Sequence, residues 1–251
     1  MSEKKKFSAD GPAPRKRFWT QASVEPSDNG FAVLLDGKPV RLPGREVLQV
    51  QSRALAEALA AEWQAAGMDD PQKRFAAEDL PLTRIAGTMI ERVTPDRQHS
   101  VDTLAGYGEH DLLCYRSEAS DPLSARQQEL WQPWLDWLHK TYDVTLTVTH
   151  GLMPVPQPSA SLKKLKQVLS ERSDAILAAL GVCVPALGSL TLGLAVIDGR
   201  LDAERAVNIA TLDERAQMER WGEDVAHLDR IATMSADVTD AARFVTLAKD
   251  K

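Results

Sequence analysis

Cysteine is scarce in this sequence: Cys114 and Cys183 are the only two among 251 residues. Two thiols without regular spacing argue against a disulfide scaffold and for a reducing compartment, with both thiols free and half-buried. Long apolar runs are missing too. No stretch approaches the roughly eighteen uninterrupted apolar residues of a membrane-crossing helix, so no membrane insertion is expected. The opening residues MSEKKKF contain no apolar core, which speaks against a secretory signal. Glu3 and Asp10 interrupt the basic residues, which speaks against a transit peptide.

Catalytic signatures are equally thin. There is no Gly-rich phosphate loop, no His-Glu-x-x-His, no Cys-x-x-Cys and no Gly-x-Ser-x-Gly, so no catalytic residue and no cofactor is assigned. His110, Asp111 and Cys114 lie close together, but a zinc site needs a second ligand pair and none is present nearby. Glu223, Asp224 and His227 fall at helical spacings, which an ion-paired polar helix face explains better than a metal does. No metal site is expected.

What the chain does have is charge, unevenly placed. The net charge is −6, although the first 17 residues carry six Lys/Arg against Glu3 and Asp10. An acidic body behind a short basic segment argues against nucleic-acid binding. Residues 1–16 read as a solvated, disordered arm.

Beyond Gly11-Pro-Ala-Pro14 the pattern is first β. Phe18–Val24, Phe31–Leu35 and Lys38–Leu42 are short β-branched and aromatic runs, separated by Asp28-Asn29-Gly30 and Asp36-Gly37. Such turns supply the positive φ that tight hairpins require. Ser52 then caps a helix with Leu55, Ala56, Leu59, Ala60 and Trp63 at helical spacing. Further helices are expected over 82–93 and 96–115. From Ser124 onward the pattern is almost entirely helical, with helices at 159–180, 186–198, 202–233 and 237–249 and a short extended stretch at Thr145–Thr149. Ala186–Ile197 fits both a strand and a helix. The expectation is an α+β protein: a disordered arm over 1–16, a small β-containing N-terminal domain over 17–118 and a larger all-α domain over 119–251.

Two segments bear on function. Trp131–Trp137 holds three of the six tryptophans, a hot spot if exposed and the mass of a helical core if buried. Residues 202–234, treated as one helix at about 100° per residue, gather Ala203, Val207, Ala210, Met218, Trp221, Val225, Leu228 and Ala232 on one side. Glu214 lands within that apolar sector and Gln217 at its edge. A carboxylate there needs an arginine from another helix, or it serves as a charged anchor in a partner cleft. Gly222 inside such a helix costs about 1 kcal/mol relative to Ala and suggests a close backbone neighbour.

Leu212-Asp213-Glu214, Gln217 and Trp221-Gly222-Glu223-Asp224 resemble the C-terminal signature of the ATP synthase catalytic-sector assembly chaperones of the α-subunit-specific type. Arg17-Phe18-Trp19, Leu35-Asp36-Gly37-Lys38, Glu62-Trp63, Pro81-Leu82-Thr83, Asp111-Leu-Leu-Cys-Tyr-Arg116, Gln128, Trp131, Pro133-Trp134-Leu135-Asp136-Trp137 and Gly188-Ser189-Leu190 follow the family's order. Two positions depart from it: Leu80 stands where the family usually has Met, and Gln132 where an acidic residue is common. The resemblance implies a two-domain fold and binding to the free α subunit before α and β subunits form their ring. It also implies a partner patch of Asp213, Glu214, Gln217, Trp221, Glu223 and Asp224. Trp63 reads as a core residue. A monomer is expected, in the bacterial cytoplasm or, for a eukaryotic source, the mitochondrial matrix. The competing reading is an enzyme with a carboxylate site around Glu214, Glu223 and Asp224.

Overall fold

A computed structural model describes residues 13–151, 153–222 and 224–249. The fold is α+β, with short strands confined largely to the N-terminal part and helices dominating the rest. Chain contacts divide it into two units: one ends at Pro95 and regains the chain from Arg243, the other runs Asp96–Ala242. The line drawn from sequence at 118/119 falls inside the second. Residues 1–12 of the expected arm lie outside the described residues. Arg15–Lys16, grouped with that arm from sequence, form a strand instead.

In the first unit, β1 (Arg15–Lys16) pairs antiparallel with β6 (Arg74–Phe75). β2 (Ala22–Ser27), β3 (Gly30–Leu35) and β4 (Lys38–Pro39) form an antiparallel meander, and β5 (Gln49–Val50) pairs with the start of β3. Both expected turns form. Ser27 faces Gly30 and Leu35 faces Lys38, with Gly30, Asp36 and Gly37 all at positive φ. A Cβ at Gly30 would also sit 2.4 Å from the Val50 carbonyl, so glycine is required there twice over. α1 (Arg53–Ala65) starts at Ser52, whose hydroxyl accepts from the Leu55 amide, and buries Leu55, Ala56, Leu59 and Ala60.

A buried arginine and a half-buried glutamate then close the ends of two helices. The Arg17 guanidinium donates to the carbonyls of Trp63, Gln64 and Ala66 at the C-terminus of α1, and to those of Trp19 and Thr20. A cation at the negative end of the helix dipole satisfies carbonyls that the helix itself cannot. Glu62 reaches the other way, to the start of α2 (Pro81–Thr88). It accepts from Leu82 N at 2.7 Å, Thr83 N at 2.9 Å and Thr83 Oγ1 at 3.0 Å. Trp19, Trp63 and Phe75 meet edge-on beside these contacts. Trp63 is half-buried, less than a full core residue, and its buried Nε1 has no hydrogen-bond partner among the described residues. Beyond α2, a π-helical turn over Met89–Val93 extends it.

The second unit opens with α3 (Arg97–Gly106), a 3-10 turn (Leu112–Cys114) and β7 (Tyr115–Arg116). α4 (Pro122–Tyr142) keeps Pro133 in its interior, and β8 (Thr149–His150) pairs parallel with β7. α5 (Ser159–Ser170) and α6 (Asp174–Leu187) replace the single helix expected over 159–180, because Ser173 caps a new start. Gly188, at positive φ, ends α6, and Ser189 caps α7 (Leu190–Ile197). All eight α7 residues are buried. A helix apolar on every side contains both the strand-like and the helical pattern, which explains the ambiguity in the sequence.

α8 (Ala203–Ala210), α9 (Leu212–Trp221) and α10 (Val225–Ala248) replace the long helix over 202–233, and no break separates 233 from 237. Asp111 is fully buried in this unit. Its carboxylate accepts from Leu113 N, Ser189 Oγ, Thr191 N and Thr191 Oγ1, closing the 3-10 turn and the start of α7 together. Burial pushes Asp111 above the usual carboxylate range, against the pull of those four donors. Cys114 and Cys183 are free and fully buried rather than half-buried.

Candidate partner-binding site

α4 is the platform for the C-terminal signature. Trp131, wholly buried, donates from Nε1 to the Ile209 carbonyl at the end of α8 at 3.0 Å. Gln127, also buried, donates to Asp213 Oδ1 at 2.7 Å and accepts from Ser117 N at 2.8 Å. Arg126 forms a two-pronged pair with Glu219, at 2.8 and 3.2 Å. Within the tryptophan run, then, Trp131 is core, while Trp134 and Trp137 are half-buried and meet edge-on.

Neighbouring Arg116 is buried, and among the described residues no carboxylate lies in bonding distance of it. It donates to the side-chain oxygens of Gln128 and Gln132, and its Nε has no partner among the described residues. Burial lowers its pKa. Gln132, the departure from the family pattern, still links Arg116 to Asp136, donating to the latter at 2.7 Å.

The wheel over 202–234 fails because the chain breaks twice. Thr211 turns out of α8 with its hydroxyl donating back to the Val207 carbonyl. Gly222, at φ 98° and ψ 159°, ends α9 in a conformation open essentially to glycine alone. A Cβ there would meet nothing within 4 Å, so the glycine serves the turn and no close backbone neighbour.

These breaks separate the proposed patch into distinct roles. Asp213 is half-buried against α4, and burial pushes its carboxyl above the usual range. The Gln127 hydrogen bond opposes that shift, while the Glu214 and Asp121 charges add to it. Glu214 pairs with Arg230 of α10, so the arginine from another helix exists. The pair is only half-buried, at 34% and 47% side-chain exposure. Gln217 is exposed. Asp224 stands at the N-cap of α10, accepting from Ala226 N with its side chain and from Leu228 N with its carbonyl, and it also pairs with His227 at 3.1 Å. Glu223 lies outside the described residues.

Trp221 is 81% exposed, Val225 72% and Leu228 40%. The wheel puts these three on a buried face, and the structure leaves them in water. Among the described residues no group of three or more His, Cys, Asp or Glu side chains is placed to hold a metal, and no helix is long and apolar enough to cross a membrane. His110 Nδ1 lies 2.9 Å from the Tyr115 hydroxyl.

A family model described as ATP12 chaperone protein matches residues 16–139. The crystal structure of Atp12 from Paracoccus denitrificans is 39% identical, covers 93% of this chain and 98% of its own, and superposes with a TM-score of 0.85. The chain belongs to the ATP12 chaperone family. Atu1473 protein, described as a putative chaperone from Agrobacterium tumefaciens, is 33% identical, with coverage of 94% and 87% and a TM-score of 0.86. Protein atp12, mitochondrial, of Schizosaccharomyces pombe is 23% identical over 237 residues, covering 88% of this chain and 80% of its own. The matched family segment holds the capping contacts of Arg17 and Glu62 and the α4 platform, but it ends before α9. Val225 and Leu228 are the surface residues that sequence reasoning missed. Gly222 was the available signal, since a glycine before an acidic N-cap marks a helix boundary more often than a close backbone neighbour inside one helix.

Proposed function

We propose that this ATP synthase assembly chaperone binds the free α subunit of the catalytic sector and covers its interface until the α/β ring forms. The chain acts by binding, as a monomer without cofactor, in the bacterial cytoplasm or the matrix of a mitochondrion. An orphan subunit exposes an apolar interface of about 1,600 Å² that aggregates unless covered. Asp213, Glu214, Gln217, Trp221, Glu223 and Asp224 are the proposed contact patch.

The observation that carries this reading is Trp221. A large aromatic that is 81% exposed, on a segment fixed to α4 by Arg126–Glu219 and Gln127–Asp213, is expensive to leave in water unless a partner takes it up. A carboxylate enzyme around Glu214, Glu223 and Asp224 has weaker support. Glu214 is paired with Arg230 and Asp224 caps α10, so neither is a ready acid or base.

The test is capture of newly made ATP synthase α subunit on the immobilised chain, with β subunit and assembled α/β complex as controls. Free α alone should be retained. Retention of β at the same level as α, or of neither, overturns the proposal.

A further inference from the structure

From Trp221 to Arg230 every described residue is exposed, and Ile231 is the first buried side chain. The first turn and a half of α10 therefore meets solvent on all sides. Helices normally gain stability from a packed apolar face, and this stretch has none. It is held by the Asp224 cap, by the Asp224–His227 contact and by the Glu214–Arg230 pair. Even so it carries Val225 and Leu228, three residues apart and so on one face, directly after Trp221. The surrounding sequence is acidic: residues 212–230 hold six carboxylates against three arginines.

We propose that this elbow enters an apolar, helix-accepting groove rimmed by Lys and Arg on the free α subunit, with Val225 and Leu228 as anchors beside Trp221. The proposal rests on the α-subunit reading. An exposed helical turn presenting apolar side chains at i and i+3 suits a groove better than a flat surface. An acidic surround favours a basic rim, which steers the encounter and rejects acidic surfaces. Arg126–Glu219 and Glu214–Arg230 hold α9 and α10 in place, so less ordering is required on binding.

Equilibrium titration of the full chain with purified free α subunit tests this, at about 50 mM and about 300 mM salt. Val225→Asp and Leu228→Asp are compared with wild type and with Met153→Asp, which alters another exposed apolar side chain of the second unit. Val225→Ser is the milder companion, and melting temperatures are recorded for all. Each aspartate should weaken binding about thirtyfold at unchanged melting temperature, as loss of an interface anchor does. Met153→Asp should bind like wild type, and higher salt should weaken wild-type binding. Wild-type binding with Val225→Asp, Val225→Ser and Leu228→Asp unaffected removes the groove and leaves the α-subunit reading intact. Salt-independent binding removes the basic rim. Failure of the wild-type chain to bind free α removes both.

Discussion

Replacing Glu62 tests whether one side chain holds the start of α2. Pro81 has no amide hydrogen, and Leu80 at the N-cap offers no side-chain acceptor. The first free amides of the helix are therefore those of Leu82 and Thr83, and Glu62 accepts from both as well as from the Thr83 hydroxyl. Losing a helix cap costs about 0.5–2 kcal/mol, and losing a carboxylate at the positive end of the dipole adds about 0.3–1 kcal/mol. Glu62→Ala should therefore destabilise by about 0.8–3 kcal/mol, or roughly 2–12 °C in melting temperature for a chain of this size. Glu62→Gln keeps one acceptor oxygen without the charge and should cost about 1 kcal/mol. Thermal and urea unfolding followed by circular dichroism give both numbers. A shift below about 1 °C for Glu62→Ala, or equal shifts for Ala and Gln, refutes the capping argument.

Three further outcomes follow. Glu214→Ala should lower affinity for the α subunit at least tenfold while moving the melting temperature by no more than about 4 °C, because a half-exposed pair contributes at most about 1 kcal/mol; a larger thermal loss assigns Glu214 to structure. Burial pushes Cys114 and Cys183 each up to about 12, so mass spectrometry should find both unalkylated in native protein at about pH 8 and both modified in urea. The Arg126 guanidinium holds Glu219 below the usual carboxylate range, so this pair's contribution is present above the unfolded carboxylate pKa and fades as pH falls through the lowered one. NMR titration should then show Glu219 rising in Arg126→Ala.

Local chemistry in the sequence marked the turns and caps well. Asp28-Asn29-Gly30 and Asp36-Gly37 demanded positive φ, and Ser52 offered the cap that α1 uses. The family blocks turn out to be physical pairs: Arg17 with the end of α1, Glu62 with Leu82 and Thr83, and Asp111 with Ser189 and Thr191. Their partners are distant in the chain, which is why no one block explains itself.

Periodicity misled between 202 and 234. The apolar phase continues across Thr211 and Gly222, so a wheel joins three helices into one and turns an exposed elbow into a buried face. It did single out Glu214, whose arginine partner could not be read from spacing because Arg230 lies across the break. Exposure of Val225 and Leu228 depends on what packs beside them, and a single sequence does not carry that.

The most direct test of the account is the solubility of free α subunit, followed by light scattering at physiological temperature with and without an equimolar amount of this chain. The account predicts that scattering is suppressed by wild type, less so by Trp221→Ala, and restored to soluble α/β complex when β subunit is added. Scattering that rises at the same rate with and without the chain contradicts it.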